Sequence, residues 1–256
     1  MLKEKLIKYL EQEDVKGAFA VKDLRSGEIC TFNENEVVPS ASLIKMFILI
    51  KTFDLIREGR LSLTDEIEVK AGDIVAFSVL EFLAPRKYML EELLRLMIVY
   101  SDNTATNVLM DKLGIDQINE EIKKLGYRDS KLCRKMMDFK AAEEGRQNYT
   151  SVKEMFDLMD RLYSSTLLGS PYDEQMLEIM KGQADETMMR QELPDEITIA
   201  RKSGELDALD HDIAIVYTEK GDYIYIFFVW DARDNNQARD ILSKTSRMVF
   251  DDFIDK

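Results

Sequence analysis

Strand-forming segments lie near the two ends of this chain and enclose a long stretch of helical periodicity, an order few folds accommodate. Leu2, Leu6, Ile7 and Leu10 fall on one helical face and predict a short amphipathic opening helix. Residues 18–24 and 29–33, rich in strand formers, flank Arg25-Ser26-Gly27-Glu28 and predict a β-hairpin. The run 43–58 predicts a helix stopped by Gly59, apolar on nearly all sides and therefore buried in the middle of the fold. From 61 to 193 the chain is helical, with periodic segments at 89–100, 104–113 and 115–125 and stops at Gly114 and Gly126. Ser151 with Glu154 predicts a capping box for a helix running to about Tyr163. Beyond Pro194 the pattern changes: 196–202, 212–218 and 223–230 predict strands, the last two joined by Glu219-Lys220-Gly221-Asp222. Residues 237–253 close the chain as an amphipathic helix.

The simplest assembly is an α+β fold with a five-stranded antiparallel sheet drawn from both ends of the chain. Terminal helices flank that sheet, and an all-α domain is inserted. Residues 1–60 and 194–256 then form the sheet domain and 61–193 the helical domain. The cleft between them is the expected ligand site.

A net charge of −14 over 256 residues argues against nucleic acid or an anionic membrane as partner. It says little about a small anionic substrate, which meets the local field of its pocket. His211 is the single histidine, too few for a zinc site or a Ser-His-Asp triad, and Cys30 and Cys133 are expected to be reduced thiols. No metal or other cofactor is expected. No run of about 18 apolar residues exists, so no membrane-spanning helix is expected, and the opening residues do not read as a secretory signal. The expectation is a monomer acting on a small molecule, cytoplasmic as the sequence stands, periplasmic or secreted if a leader has been removed.

Three short strings carry chemistry: Ser42-Leu43-Ile44-Lys45, Ser101-Asp102-Asn103 and Lys202-Ser203-Gly204. On a helix, residues three apart share a face, so the Ser42 hydroxyl and Lys45 amine can meet. A buried lysine near a second cation has a depressed pKa and can serve as base or relay. Ser42 also sits at a helix start, where free N–H groups can stabilise an oxyanion. Ser101 can shuttle a proton to a leaving group, Asn103 can hydrogen-bond a substrate amide, and Asp102 can hold the loop in shape. Lys202 can depress Lys45 and attract a carboxylate, and Ser203 can hydrogen-bond it. Gly204 permits close approach, and the Glu205 N–H can complete an oxyanion hole with that of Ser42. Each string alone also reads as plain structure: a capped helix with a solvated lysine, a helix N-cap, a strand end entering a turn. Together, in this order and on these predicted elements, they describe a serine acyl-transfer site.

With these motifs the chain resembles class A β-lactamases and their penicillin-interacting relatives from about Gly17 to Phe250. The resemblance implies that Ser42 is acylated by β-lactams or related acyl-D-Ala compounds, with Lys45 and Ser101 catalytic. One departure affects hydrolysis. Arg134 resembles the arginine that ties down a loop in the family, and counting from it places Met136 where the family has its water-activating glutamate. Methionine cannot accept a proton from water. Glu144, four residues before Asn148, repeats the family's Glu-x-x-x-Asn spacing and is a candidate deacylating base. Glu143 and Glu144 also read as ordinary surface charges, and Asp138 is a further candidate. A second departure is that 205–216 contains no arginine for the substrate carboxylate; His211 could substitute or be structural. The expected function is therefore a β-lactamase-type hydrolase with slow deacylation. The alternatives are a D,D-peptidase or esterase sharing the site, and a covalent β-lactam binder that does not turn over.

Overall fold

The computed structural model describes residues 1–255. Its centre is an antiparallel sheet of order β2-β1-β9-β8-β7, built from both ends of the chain. The strands are β1 (Lys16–Asp23), β2 (Ile29–Phe32), β7 (Thr198–Leu206), β8 (Leu209–Thr218) and β9 (Gly221–Trp230). Side-chain alternation assigns each residue a face. Phe19 and Val21 of β1, with Tyr223, Tyr225, Phe227 and Val229 of β9, point to one side. There they pack on Leu6 and Leu10 of α1 (Leu2–Glu13) and Ile241 and Phe250 of α9 (Asn235–Ile254). Ala18, Ala20, Ile224, Ile226 and Phe228 serve the opposite face, whose core continues into the helical part of the chain. Covered on both faces, the central strands read as apolar runs rather than as clean alternation.

The helical part comprises α2 (Lys45–Arg57), α3 (Leu90–Val99), α4 (Asn103–Leu113), α5 (Ile115–Lys124), α6 (Phe139–Glu143), α7 (Val152–Tyr163) and α8 (Tyr172–Met180). Two small ladders pair β3 (Val37–Pro39) with β6 (Tyr149–Ser151) and β4 (Glu66–Glu68) with β5 (Lys87–Met89). α2 is buried from Lys45 to Leu55, as its all-round apolar pattern requires. Its far end is tied to α5 by Lys51, whose ammonium lies 3.2 Å from Glu121 and 3.4 Å from Asp54. Ser151 caps α7 by accepting from the Glu154 N–H at 3.3 Å. The box is only half made, because the Glu154 carboxylate accepts instead from the N–H groups of Arg128, Asp129 and Ser130.

Two differences from the sequence expectation move site residues. β7 continues to Leu206 and β8 begins at Leu209, because Asp207 and Ala208 make a two-residue turn with Ala208 at φ 53°. Lys202-Ser203-Gly204 therefore lies inside β7 rather than at its end. His211 lies inside β8, opposite Gly204.

Candidate active site

Ser42 is presented by a single 3₁₀ turn, Ala41–Ile44, that leads directly into α2. Ala41 is left-handed, at φ 47°, while Leu43 and Ile44 are fully buried anchors behind Ser42. β7 runs alongside. A methyl group on Gly204 would lie 3.2 Å from the Ser42 amide nitrogen, 3.2 Å from the Ser40 carbonyl and 3.1 Å from the Ala41 methyl. These neighbours are mostly backbone and cannot swing away, so glycine is what lets the strand approach Ser42.

Lys45 is fully buried beneath Ser42, but the expected contact between the two is not made. The Lys45 ammonium donates to the Ser101 carbonyl at 2.6 Å, Ser101 Oγ at 3.0 Å and Asn103 Oδ1 at 3.0 Å. Lys202, also fully buried, donates to Ser101 Oγ at 3.1 Å and to the Ser203 carbonyl at 2.6 Å. One hydroxyl therefore joins two ammonium groups. Burial, with Lys202 as the neighbouring cation, holds Lys45 well below the ordinary lysine range. Burial and the adjacent Arg201 bring Lys202 down to about 7. Arg201 is itself pinned by Asp212 at 2.6 and 2.9 Å and by Asp185 at 3.4 Å.

Ser101 occupies left-handed backbone, φ 53°, between α3 and α4. Asp102 holds that bend, as its loop position suggested. Its carboxylate accepts from Ala105 N at 2.8 Å, Val79 N at 2.6 Å, Leu80 N at 3.2 Å and Ser78 Oγ. Asn103 donates to the Ala76 carbonyl and its N–H reaches the Phe77 carbonyl, fixing Phe77 at φ 58° on the rim.

The opposite wall is the loop from Arg134 to Asn148. Asn148 closes its neck, accepting from Cys133 N at 2.7 Å and Arg134 N at 3.0 Å and donating to the Arg134 carbonyl at 3.1 Å. Asn107, one helical turn beyond Asn103, grips Met136 at both backbone atoms, 2.9 and 3.1 Å. The Met136 side chain thereby lines the cleft.

Glu144 does not come to the cleft. It lies at the end of α6, half exposed and ion-paired with Arg146. Asn148, its partner in the spacing argument, is committed to the loop neck and does not face it. Asp138 is likewise occupied, capping α6 through the Ala141 N–H at 3.0 Å. His211 is also outside the cleft. It is fully buried, stacked on Phe228, and set between the carbonyls of Pro39 (3.0 Å) and Asp210 (2.9 Å). Burial lowers its pKa to about 4, and both ring nitrogens face backbone carbonyls, so the ring is not offered to the cleft.

The cleft is a cavity of about 720 Å³ lined by Ser42, Ser101, Asn103, Ser203 and Glu205, with Arg134 and Met136 on the loop side. Asn107, Gln147, Asp185 and Arg201 were not singled out in the sequence. Asn107 could have been found from its one-turn spacing after Asn103; the others have no local signal. Among the described residues, no group of His, Cys, Asp and Glu could hold a metal, and no helix is long and apolar enough to cross a membrane.

The family model for the beta-lactamase enzyme family matches residues 1–253. This chain belongs to that family. Among the relatives of this β-lactamase-family chain is the beta-lactamase regulatory protein BlaB of Streptomyces cacaoi. It is 29% identical over 123 residues, spanning 47% of this chain and only 39% of that protein. Beta-lactamase BRO-1 of Moraxella catarrhalis is 23% identical over 238 residues, covering 88% of this chain and 76% of the relative. The solved structure of PBP-A superposes with a TM-score of 0.90 at 25% identity, covering 100% of this chain and 96% of that one. A mutant of PBP-A has been solved as an acyl-enzyme complex with penicillin G. The fold is that of class A β-lactamases.

Proposed function

We propose that the protein is a serine acyl-transfer enzyme, acylated at Ser42 by β-lactams or acyl-D-Ala-like compounds and slow to release the acyl group. The supporting observation is the Ser101 hydroxyl, held 3.0 Å from the Lys45 ammonium and 3.1 Å from that of Lys202 in the cleft containing Ser42. Lys45, depressed by burial, is the base that takes the Ser42 proton as Oγ attacks the carbonyl carbon. The developing oxyanion sits between the N–H groups of Ser42 and Glu205. As the carbon–nitrogen bond breaks, Ser101 hands its proton to the leaving nitrogen and is reprotonated from Lys45. Lys202 and Ser203 hold the substrate carboxylate. Hydrolysis of the ester requires a base facing it, and the loop offers Met136 there.

Met136 at that place, where hydrolysis needs a base, favours the peptidase-like and covalent-binder readings over efficient antibiotic hydrolysis. Intact protein mass, followed over time after adding penicillin G, tests the proposal with Ser42→Ala as control. The expected result is a persistent adduct of one acyl group on the wild type and none on the variant. Absence of an adduct together with absence of product refutes acylation at Ser42. Rapid product formation with unlabelled protein refutes slow deacylation.

A further inference from the structure

Arg134 is the one cationic side chain lining the cleft among the described residues, and it has no carboxylate partner. Of the loop's other cations, Lys135 pairs with Asp111 at 2.6 Å and Arg146 pairs with Glu144, while Lys140 on α6 does not line the cleft. The groups that hold Arg134 are uncharged. Its Nε donates to Gln147 Oε1 at 3.0 Å, one Nη1 proton goes to the Lys135 carbonyl at 3.2 Å, and Nη2 makes no hydrogen bond to any described residue. Asn148, at the loop neck, binds only the backbone N–H and carbonyl of Arg134 and carries no charge. Asp138, the nearest acid, is engaged with the Ala141 N–H and forms no ion pair with the guanidinium. Of the acids on the facing wall, Asp185 is paired with Arg201 and Glu205 with Arg239, while Asp207 lies exposed in the turn between β7 and β8.

A half-buried guanidinium with no ion pair is costly, and desolvation lowers its pKa against the weaker opposing charge of Asp138. In a chain of net charge −14, a cation left uncompensated in the main cavity is a place for an anion. Its planar donors match a carboxylate. Resting on the function proposed above, the Lys202–Ser203 wall takes the substrate's carboxylate on the leaving-group side of Ser42. Arg134 stands on the other wall, beside Met136. We infer that Arg134 is a specificity-determining residue that binds a second carboxylate, carried on the acyl side chain of the substrate. The favoured substrates are thus acyl donors with an anionic group on each side of the scissile bond.

The test is the second-order rate constant for labelling Ser42 by three penicillins that differ at one carbon of the acyl side chain. They are benzylpenicillin, its α-carboxy derivative carbenicillin and its α-amino derivative ampicillin. The wild type should be labelled about five- to twenty-fold faster by carbenicillin than by benzylpenicillin, with ampicillin slowest. Raising the salt concentration should shrink the spread. Arg134→Gln should remove the preference, read as the ratio of the carbenicillin to the benzylpenicillin rate, so that a general loss of rate does not count. Arg134→Lys, which keeps the charge, should retain the order and covers the case in which the glutamine variant does not fold. Carbenicillin slower than or equal to benzylpenicillin on the wild type overturns the inference alone, as does a preference that survives Arg134→Gln. No labelling by any of the three overturns the acyl-transfer reading and this inference with it.

Discussion

Replacing Met136 with glutamate should convert a long-lived acyl-enzyme into one that turns over. The site is suited to the change, because Asn107 holds the backbone of residue 136 through its own N–H and carbonyl, independently of the side chain. The loop path should therefore survive the substitution, and the new carboxylate should enter the cavity that contains Ser42. A positioned general base contributes ~10²–10⁴-fold, or about 3–5 kcal/mol of barrier at about 1.4 kcal/mol per decade. The Asn107 clamp fixes the main chain but not the side-chain torsions, so the lower end, ~10²-fold in deacylation, is the expected gain. Met136 is only 9% exposed, and putting a carboxylate there costs about 1–2 kcal/mol, lowering Tm by roughly 2–8 °C. Quenched-flow mass spectrometry with penicillin G separates the two steps. The acylation rate should stay within about threefold of wild type while the adduct lifetime shortens. The parallel Glu144→Ala variant should leave that lifetime unchanged, since Glu144 is held by Arg146 outside the cleft. An equally long-lived adduct in a well-folded Met136→Glu protein would refute the idea that residue 136 controls hydrolysis.

Acylation should also depend on pH through Lys202, whose pKa of about 7 means that its ammonium is lost as pH rises through neutrality. The second-order acylation constant for a carboxylate-bearing penicillin should therefore fall above about pH 7. A bound carboxylate favours the ammonium form, so the first-order constant at saturation should hold its value to higher pH. Stopped-flow profiles between pH 5.5 and 9, about two units either side of neutrality, check both limbs. Asp210 gives a stability prediction. It is fully buried, its Oδ2 has no hydrogen-bond partner, and burial pushes its pKa up to about 7. A carboxyl whose pKa rises on folding contributes most below its unfolded pKa of about 3.9, and that contribution is lost as pH rises through the folded value. Asp210→Asn should be more stable than wild type at about pH 8 by about 1–3 kcal/mol, with the gap closing towards pH 4, as measured by denaturant titration.

Much of the fold was readable because period and length agree along this chain. The terminal strands, α2 and the helices from α3 to α5 all carry continuous patterns, so each was found within a few residues. The small β3–β6 and β4–β5 ladders were missed, as each strand has three residues and no periodicity to show. Lys45 and Lys202 meet at Ser101, and Gly204 lies against the backbone at Ser42, because each is fixed by its own local element, but the Ser42–Lys45 contact expected from the spacing is not made. Glu144 and His211 failed for a common reason. Both were proposed from offsets along the chain, and offsets do not say which side of a loop faces a cavity. Asn148 decides the first by binding the loop neck, and the two-residue turn at Asp207-Ala208 decides the second by extending β8 to bury His211.

Charge placement in the site follows from which groups satisfy its acids. Three buried cations, Lys45, Lys202 and Arg201, are matched in number by Asp102, Asp185 and Asp212, yet the carboxylates do not quench the lysines. Asp102 spends its oxygens on backbone N–H groups and Ser78, and so shapes the Ser101 bend without making an ion pair with Lys45. Asp185 and Asp212 bind Arg201, which leaves Arg201 as a fixed positive neighbour for Lys202. Both lysines are then held below their ordinary range by burial and by like charge rather than stabilised by acids. A substrate carboxylate supplies the counter-charge that Lys202 lacks. Its arrival raises the Lys202 pKa, so Lys202 keeps its proton once the substrate has docked. The basicity of Lys45 is then set chiefly by its burial, the largest cause of its lowered pKa, and the substrate's charge acts on Lys202.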